Sequence, residues 1–195
     1  DVFCFDYRLA PEHPYPAALE DAMKAWNYLM LLGYGARDVI LTGDSAGGNL
    51  VLALTLKLQE QGRILPRGLV LMSPWTDLTS SGESFLEKAQ LDPVLSREYI
   101  DRMTQAYAAG QNLTDPFISP LYGNFRGFPP AYIQVGENEI LLSDALRLHQ
   151  VFVEENVSVR LDVYPGMWHV FQMSPVKAAR EAMDRNAEFI YDICR

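Results

Sequence analysis

The chain has 195 residues, 49% of them apolar and 21% charged. That is the balance of a soluble globular domain able to bury a core. A net charge of −9 argues against nucleic acid or an anionic membrane surface as a partner. The apolar stretches are broken by charge, Gly or Pro before the ~18 residues that a bilayer span needs.

Two cysteines, Cys4 and Cys194, lie near the two ends of the sequence. Isolated cysteines of this kind read as free thiols, which points to a reducing, cytoplasmic setting. No Cys/His cluster has the spacing of a metal site. The sequence opens inside a strand pattern, without an initiator Met or a signal peptide, and so reads as part of a longer protein.

In chain order, Val2 to Asp6 predicts a buried strand. Tyr7 to Pro16 is a Pro-punctuated loop. Leu19, Met23, Trp26 and Met30 recur at helical spacing and predict a helix over Ala17 to Leu32, ended by Gly33 or Gly35. Asp38 to Thr42 predicts a strand, Ala46 to Gln61 a helix stopped by Gly62, and Gly68 to Met72 a buried strand leading into Ser73-Pro74-Trp75. From about 80 to 120 the alternation lapses into short amphipathic pieces, Ser84 to Ala89 and Ser96 to Ala108, which read as an insertion. Strand and helix then resume: Ala131 to Val135, Leu142 to Asn156, Val159 to Tyr164 and Val176 to Ile193. The pattern predicts an α/β domain, a mostly parallel sheet with helices on both faces, and shows no linker or repeat.

Gly43-Asp44-Ser45-Ala46-Gly47-Gly48 joins the strand at 38–42 to the helix that follows. A serine between small residues at a strand-to-helix turn is the context of a nucleophile elbow. Gly43 and Gly47 are expected to be glycine because a side chain would strike the neighbouring strand or helix. A serine hydroxyl needs a base within reach, and the base needs an orienting group. His13 lies in the Pro-rich loop and His149 mid-helix among Leu146, Leu148 and Val151. Only His169, in Pro165 to Phe171, follows the last strand, where open α/β sheets place their chemistry. The acid should lie after the penultimate strand, in Gly136 to Asp144. There Glu137, Glu139 and Asp144 compete, and spacing does not choose among them.

Tyr7-Arg8-Leu9-Ala10-Pro11-Glu12-His13-Pro14-Tyr15-Pro16, the Gly43 to Gly48 elbow and Gly166-Met167-Trp168-His169-Val170-Phe171 resemble, in that order, the motifs of the hormone-sensitive-lipase-like (bacterial family IV) branch of the α/β-hydrolases. The resemblance runs nearly the whole length. It implies an α/β-hydrolase fold with a small helical cap over about 80–120, a single catalytic domain over 1–195, and a serine esterase without metal or organic cofactor. Ser45 would be the nucleophile, His169 the base and the Ala46 N–H an oxyanion donor. The family's acid is usually an Asp in a D-P-L segment. Glu139-Ile140-Leu141 stands in that place, so the resemblance implies Glu139 as the acid. The expected substrate is a small-molecule ester of short to medium acyl chain. An amide or N-acetyl substrate, or a non-catalytic receptor of the gibberellin-receptor kind, are the alternatives.

The branch's HGGG-type oxyanion loop has no counterpart in this sequence. The fold would also place a strand between those at 2–6 and 38–42, and none is present. Without that strand and loop the chain is expected to be inactive alone. Trp75, Phe85, Tyr99, Tyr107, Phe117 and Tyr122 are candidate walls of an acyl or alcohol pocket.

Overall fold

The computed structural model describes residues 1–195. Four strands form one parallel sheet in the order β1 (Ile40–Asp44), β2 (Gly68–Met72), β3 (Ala131–Gly136), β4 (Val159–Tyr164). Leu41 pairs with Leu69, Leu69 with Ala131 and Ala131 with Val159. Each crossover carries helix: α2 (Ala46–Glu60) after β1, α3 (Ser84–Glu87) and α4 (Arg97–Ala108) after β2, and α5 (Leu142–Glu154) after β3. Helices α1 (Ala17–Leu31) and α6 (Lys177–Cys194) flank this unit in sequence.

The two-residue period of a strand divides β2 and β3 between two faces. Leu69, Leu71, Ala131, Ile133 and Val135 point into one core with α1, α2 and α5, through Trp26, Leu52, Leu58, Leu148 and Phe152. The alternate residues face α6. Tyr132 packs on Phe189 with ring centroids 5.5 Å apart, and the Gln134 amide donates to the Ala182 carbonyl at 2.8 Å. A parallel sheet covered on both faces suits the apolar runs of these strands.

Glycines end α1 and α2 where the left-handed conformation is needed. Gly33 (φ 95°) follows α1, and the Tyr34 N–H reaches back to the Leu29 carbonyl. Gly62 (φ 63°) does the same after α2, with the Arg63 N–H on Leu58 O.

The segment from 80 to 120 builds a second apolar cluster. Phe85, Leu95, Ile100, Ala108 and Ile118 pack with Trp75 and with Ile140 and Leu141 at the start of α5. Helix α4 is started by Ser96, whose hydroxyl accepts the Tyr99 N–H at 3.2 Å. It buries Ile100, Thr104 and Ala108 at four-residue spacing.

The N-terminal strand expected at Val2 to Asp6 is not formed. No strand lies beside it, and a strand exists only through its ladder partners. The segment runs alongside α1, with Phe3 on Tyr28 at 6.2 Å and on Phe5 at 6.1 Å. Val2 is 90% exposed and Phe3 45%. In the four-stranded order, β1 is an edge strand of the sheet. No helix is long and apolar enough to cross a membrane, and both cysteines are free and exposed.

Candidate active site

The C-terminal ends of all four parallel strands converge on one place. Ser45 follows β1, Ser73 follows β2, Glu139 lies three residues beyond β3, and His169 lies five residues beyond β4. Parallel strands present their carboxyl ends on one edge of the sheet, so residues far apart in sequence meet there.

Ser45 has φ 51° and ψ −118°, a sparsely populated backbone conformation for a residue with a Cβ. The turn is fixed on both sides. The Ser45 N–H donates to Met72 O at 2.9 Å, and Ser45 O accepts from Trp75 N at 3.1 Å. A Cβ on Gly43 would collide with the backbone of Gly47 and Gly48. Gly47 differs from the sequence expectation, because a Cβ there would meet nothing within 4 Å. The second crowded glycine is Gly48, where an added Cβ would sit 2.9 Å from the Pro74 side chain.

The Ser45 hydroxyl lies 2.9 Å from His169 Nε2, and His169 Nδ1 lies 2.8 Å from Glu139 Oε2. Glu139 is fully buried and His169 is 6% exposed. A carboxylate can only accept, so Nδ1 carries the ring proton and Nε2 presents a lone pair to Ser45. The other carboxylate oxygen, Oε1, accepts from the Gly136 N–H at 2.5 Å and from the Ser73 hydroxyl at 2.8 Å. Both oxygens are therefore occupied.

The acid loop and the histidine loop are laced together by backbone. Asn138 N–H donates to Met167 O at 2.9 Å and Glu137 N–H to Tyr164 O at 3.0 Å. Gly136 is in such close contact that a Cβ would sit 2.5 Å from the Met167 carbonyl oxygen.

The other two acids lie apart from the imidazole. Glu137 is exposed, and its carboxylate accepts the Gly166 N–H at 2.9 Å. Asp144 is fully buried in the first turn of α5, where one oxygen accepts the N–H groups of Thr76 and Asp77, each at 2.8 Å. Burial pushes its carboxyl up to about 8, against the opposing pull of those two N–H groups. A carboxyl raised in the folded state holds its proton there while the unfolded chain has lost it. The stabilisation is complete below about pH 4 and is lost as pH rises through about 8. The melting temperature of Asp144→Asn, followed by circular dichroism from pH 5 to 9, is expected to fall less steeply with pH than that of the unaltered chain. His13 is exposed in its loop and His149 half-buried on α5.

Ala46 opens α2, so its N–H is among the helix-start donors that have no carbonyl one turn back. The positive end of the helix dipole adds to its pull on an anion.

A cavity of about 430 Å³ opens over Ser45 and Ala46. One wall is Tyr7 to Pro11, held to α1 by the Arg8 guanidinium on Asp21 at 2.8 Å. The opposite wall is the Tyr99, Ile100, Met103 and Tyr107 side of α4, with Trp75 and Leu78 between. Of the aromatics expected there, Trp75, Tyr99 and Tyr107 line the cavity. Phe85 is fully buried under the 80–120 segment, Phe117 packs beneath Lys57, and the Tyr122 hydroxyl bonds Asp77 at 3.2 Å. The sequence carries no signal for the wall from Tyr7 to Pro11, because its Pro residues mark a turn without saying what the turn faces.

A parallel sheet with a strained serine between its first strand and the following helix defines an α/β-hydrolase. The family model for the alpha/beta hydrolase fold matches residues 1–173. The chain is 40% identical to an esterase of Acinetobacter venetianus over 191 residues, 96% of this chain and 63% of the esterase. It is 38% identical to an acetyl-hydrolase of Streptomyces hygroscopicus over 170 residues, 87% of this chain and 57% of that protein. A hormone-sensitive lipase from a metagenome library superposes with a TM-score of 0.95 at 39% identity, covering 97% of this chain and 65% of the lipase. The protein EstE5, in crystals soaked with p-nitrophenyl butyrate, superposes with a TM-score of 0.92 at 36% identity over 96% of this chain and 64% of its own. The chain belongs to the α/β-hydrolase fold family, and within it to the hormone-sensitive-lipase-like, bacterial family IV branch. It spans about 63% of the length of the esterase it matches.

Proposed function

We propose that the complete protein hydrolyses carboxylic esters through an acyl-serine intermediate. The observation that carries this reading is the unbroken chain from Ser45 Oγ to His169 Nε2, 2.9 Å, and from His169 Nδ1 to Glu139 Oε2, 2.8 Å. The esterase and acetyl-hydrolase relatives support it.

Ser45 Oγ attacks the ester carbonyl carbon as its proton passes to His169 Nε2. The imidazolium so formed is held and stabilised by Glu139, which keeps its own charge throughout. The carbonyl oxygen becomes an oxyanion and takes the Ala46 N–H as one donor. Such a donor is typically worth ~2.7–4 kcal/mol of barrier. His169 then returns the proton to the leaving alkoxide, and acyl-Ser45 remains. Water, deprotonated by His169, attacks the acyl carbon and releases the acid with Ser45 restored. The mechanism draws on no metal or organic cofactor.

A small-molecule ester of short to medium acyl chain fits the apolar cavity of about 430 Å³, and the name of the acetyl-hydrolase relative supports the short end of that range. The stretch from about 80 to 120 acts as the cap of one catalytic domain over 1–195, with α4 as a pocket wall. The two exposed free cysteines support a reducing, cytoplasmic location. Turnover of p-nitrophenyl acetate, butyrate and palmitate and of p-nitroacetanilide by the complete protein tests the reading. Acetate and butyrate are expected to be the best substrates. A preference for the anilide, or no turnover of any ester, would overturn it.

A further inference from the structure

We infer that Ser73 is a positioning residue of this site, closing a hydrogen-bonded ring that holds Glu139 and His169 in one geometry. The ring is read directly from the donors. His169 Nδ1–H donates to Glu139 Oε2 at 2.8 Å, and the Ser73 hydroxyl donates to Glu139 Oε1 at 2.8 Å. The Val170 N–H donates to Ser73 Oγ at 3.1 Å. Val170 is covalently next to His169, so the path returns to where it began.

The single hydroxyl proton of Ser73 fixes the direction of this path. It goes to the carboxylate, so the same oxygen accepts from Val170. The ring restrains the imidazole from two sides: its Nδ1 through Glu139, and its backbone through Val170.

Backbone strain marks the same three places. Ser73 has φ 47° and Val170 φ 50°, beside Ser45 at φ 51°. For a β-branched residue such as Val170 that conformation is a genuine outlier, and it persists only where surrounding bonds over-determine it. Ser73 is fully buried, and its own N–H is anchored on Gln134 O at 2.7 Å. Its place in the sheet has the same logic. It is the loop residue after β2, between the strands that deliver Ser45 and Glu139.

Two substitutions separate the hydroxyl from the backbone. Ser73→Ala removes the hydroxyl and keeps a Cβ at positive φ. Ser73→Gly removes the hydroxyl and relieves that conformation, so it should fold at least as well. A hydrogen bond to a charged group typically corresponds to about 10- to 100-fold in rate. Both variants are expected to lose about that factor in kcat with KM unchanged.

In a Glu139→Gln background, Ser73→Gly should change kcat by less than about twofold, because the imidazole then carries its proton on Nε2 and the ring no longer positions a competent base. An equal loss in both backgrounds, or full kcat in Ser73→Gly, would overturn the assignment. The rate measurements rest on the hydrolase reading. A second measurement does not. The low-field Nδ1–H proton resonance of His169 should be present in the unaltered protein and lost or broadened in Ser73→Gly. A resonance unchanged by Ser73→Gly would overturn the assignment whether or not the protein hydrolyses esters.

Discussion

Ser45→Ala in the complete protein is expected to lower kcat for p-nitrophenyl butyrate by about 10⁴- to 10⁶-fold, leaving what binding and oxyanion donors supply alone. His169→Ala should fall as far, and the double variant no further, because nucleophile and base act as one unit. Stability should not follow activity. Ser45 holds φ 51° and ψ −118°, a strained conformation of a kind that costs on the order of 1–3 kcal/mol. Alanine keeps that cost and glycine relieves it. Ser45→Gly should therefore be as inactive as Ser45→Ala and melt at a higher temperature in calorimetry. A Ser45→Ala protein that kept a tenth of its activity would place the nucleophile elsewhere.

Glu139→Gln is expected to cost about 10⁴-fold in kcat, the effect of presenting the base in the wrong tautomer. The reason lies in how the carboxylate is held. The Gly136 N–H and the Ser73 hydroxyl both donate to Oε1. An amide in this place must turn its carbonyl oxygen to those donors and its NH₂ to His169 Nδ1. The ring proton then moves to Nε2, and the lone pair that would take the Ser45 proton is gone. Glu137→Gln and Asp144→Asn, both remote from the imidazole, should stay within about threefold of the unaltered protein, the scale of substitutions outside the interaction. Steady-state kinetics on the three variants decides among the acids. Loss of activity in Asp144→Asn alone would remove Glu139 from the mechanism.

Much of this arrangement was legible in the sequence because it is local. The turn at Gly43 to Gly48 carries its own punctuation, the strand at 68–72 announces itself as a short continuous apolar run, and the strand at 159–164 by its alternation of apolar and charged residues. His169 could be singled out from three histidines by its place after the last strand. The acid could not be chosen from spacing, because Glu137, Glu139 and Asp144 all lie on one loop and first turn. Their separation is three-dimensional: one caps Gly166, one meets the imidazole, and one is buried against Thr76 and Asp77.

Other features depended on long-range partners that composition does not report. Val2 to Asp6 has strand residues but no neighbouring strand to pair with. Gly47 looked sterically required, yet the crowding belongs to Gly43 and Gly48. Phe85 and Phe117 lie in the stretch that helps to form the pocket and Tyr122 just beyond it, but they pack beneath it or bond elsewhere. Ser73 carried no sequence signal beyond following a strand, and its bonds reach residues 66 and 97 positions away.

The most direct test of the central claim is to treat the complete protein with a fluorophosphonate and map the adduct by mass spectrometry of its peptides. The adduct is expected on Ser45, forming slowly in His169→Ala and Glu139→Gln and not at all in Ser45→Ala. An unmodified Ser45, or an adduct on any other residue, would contradict it.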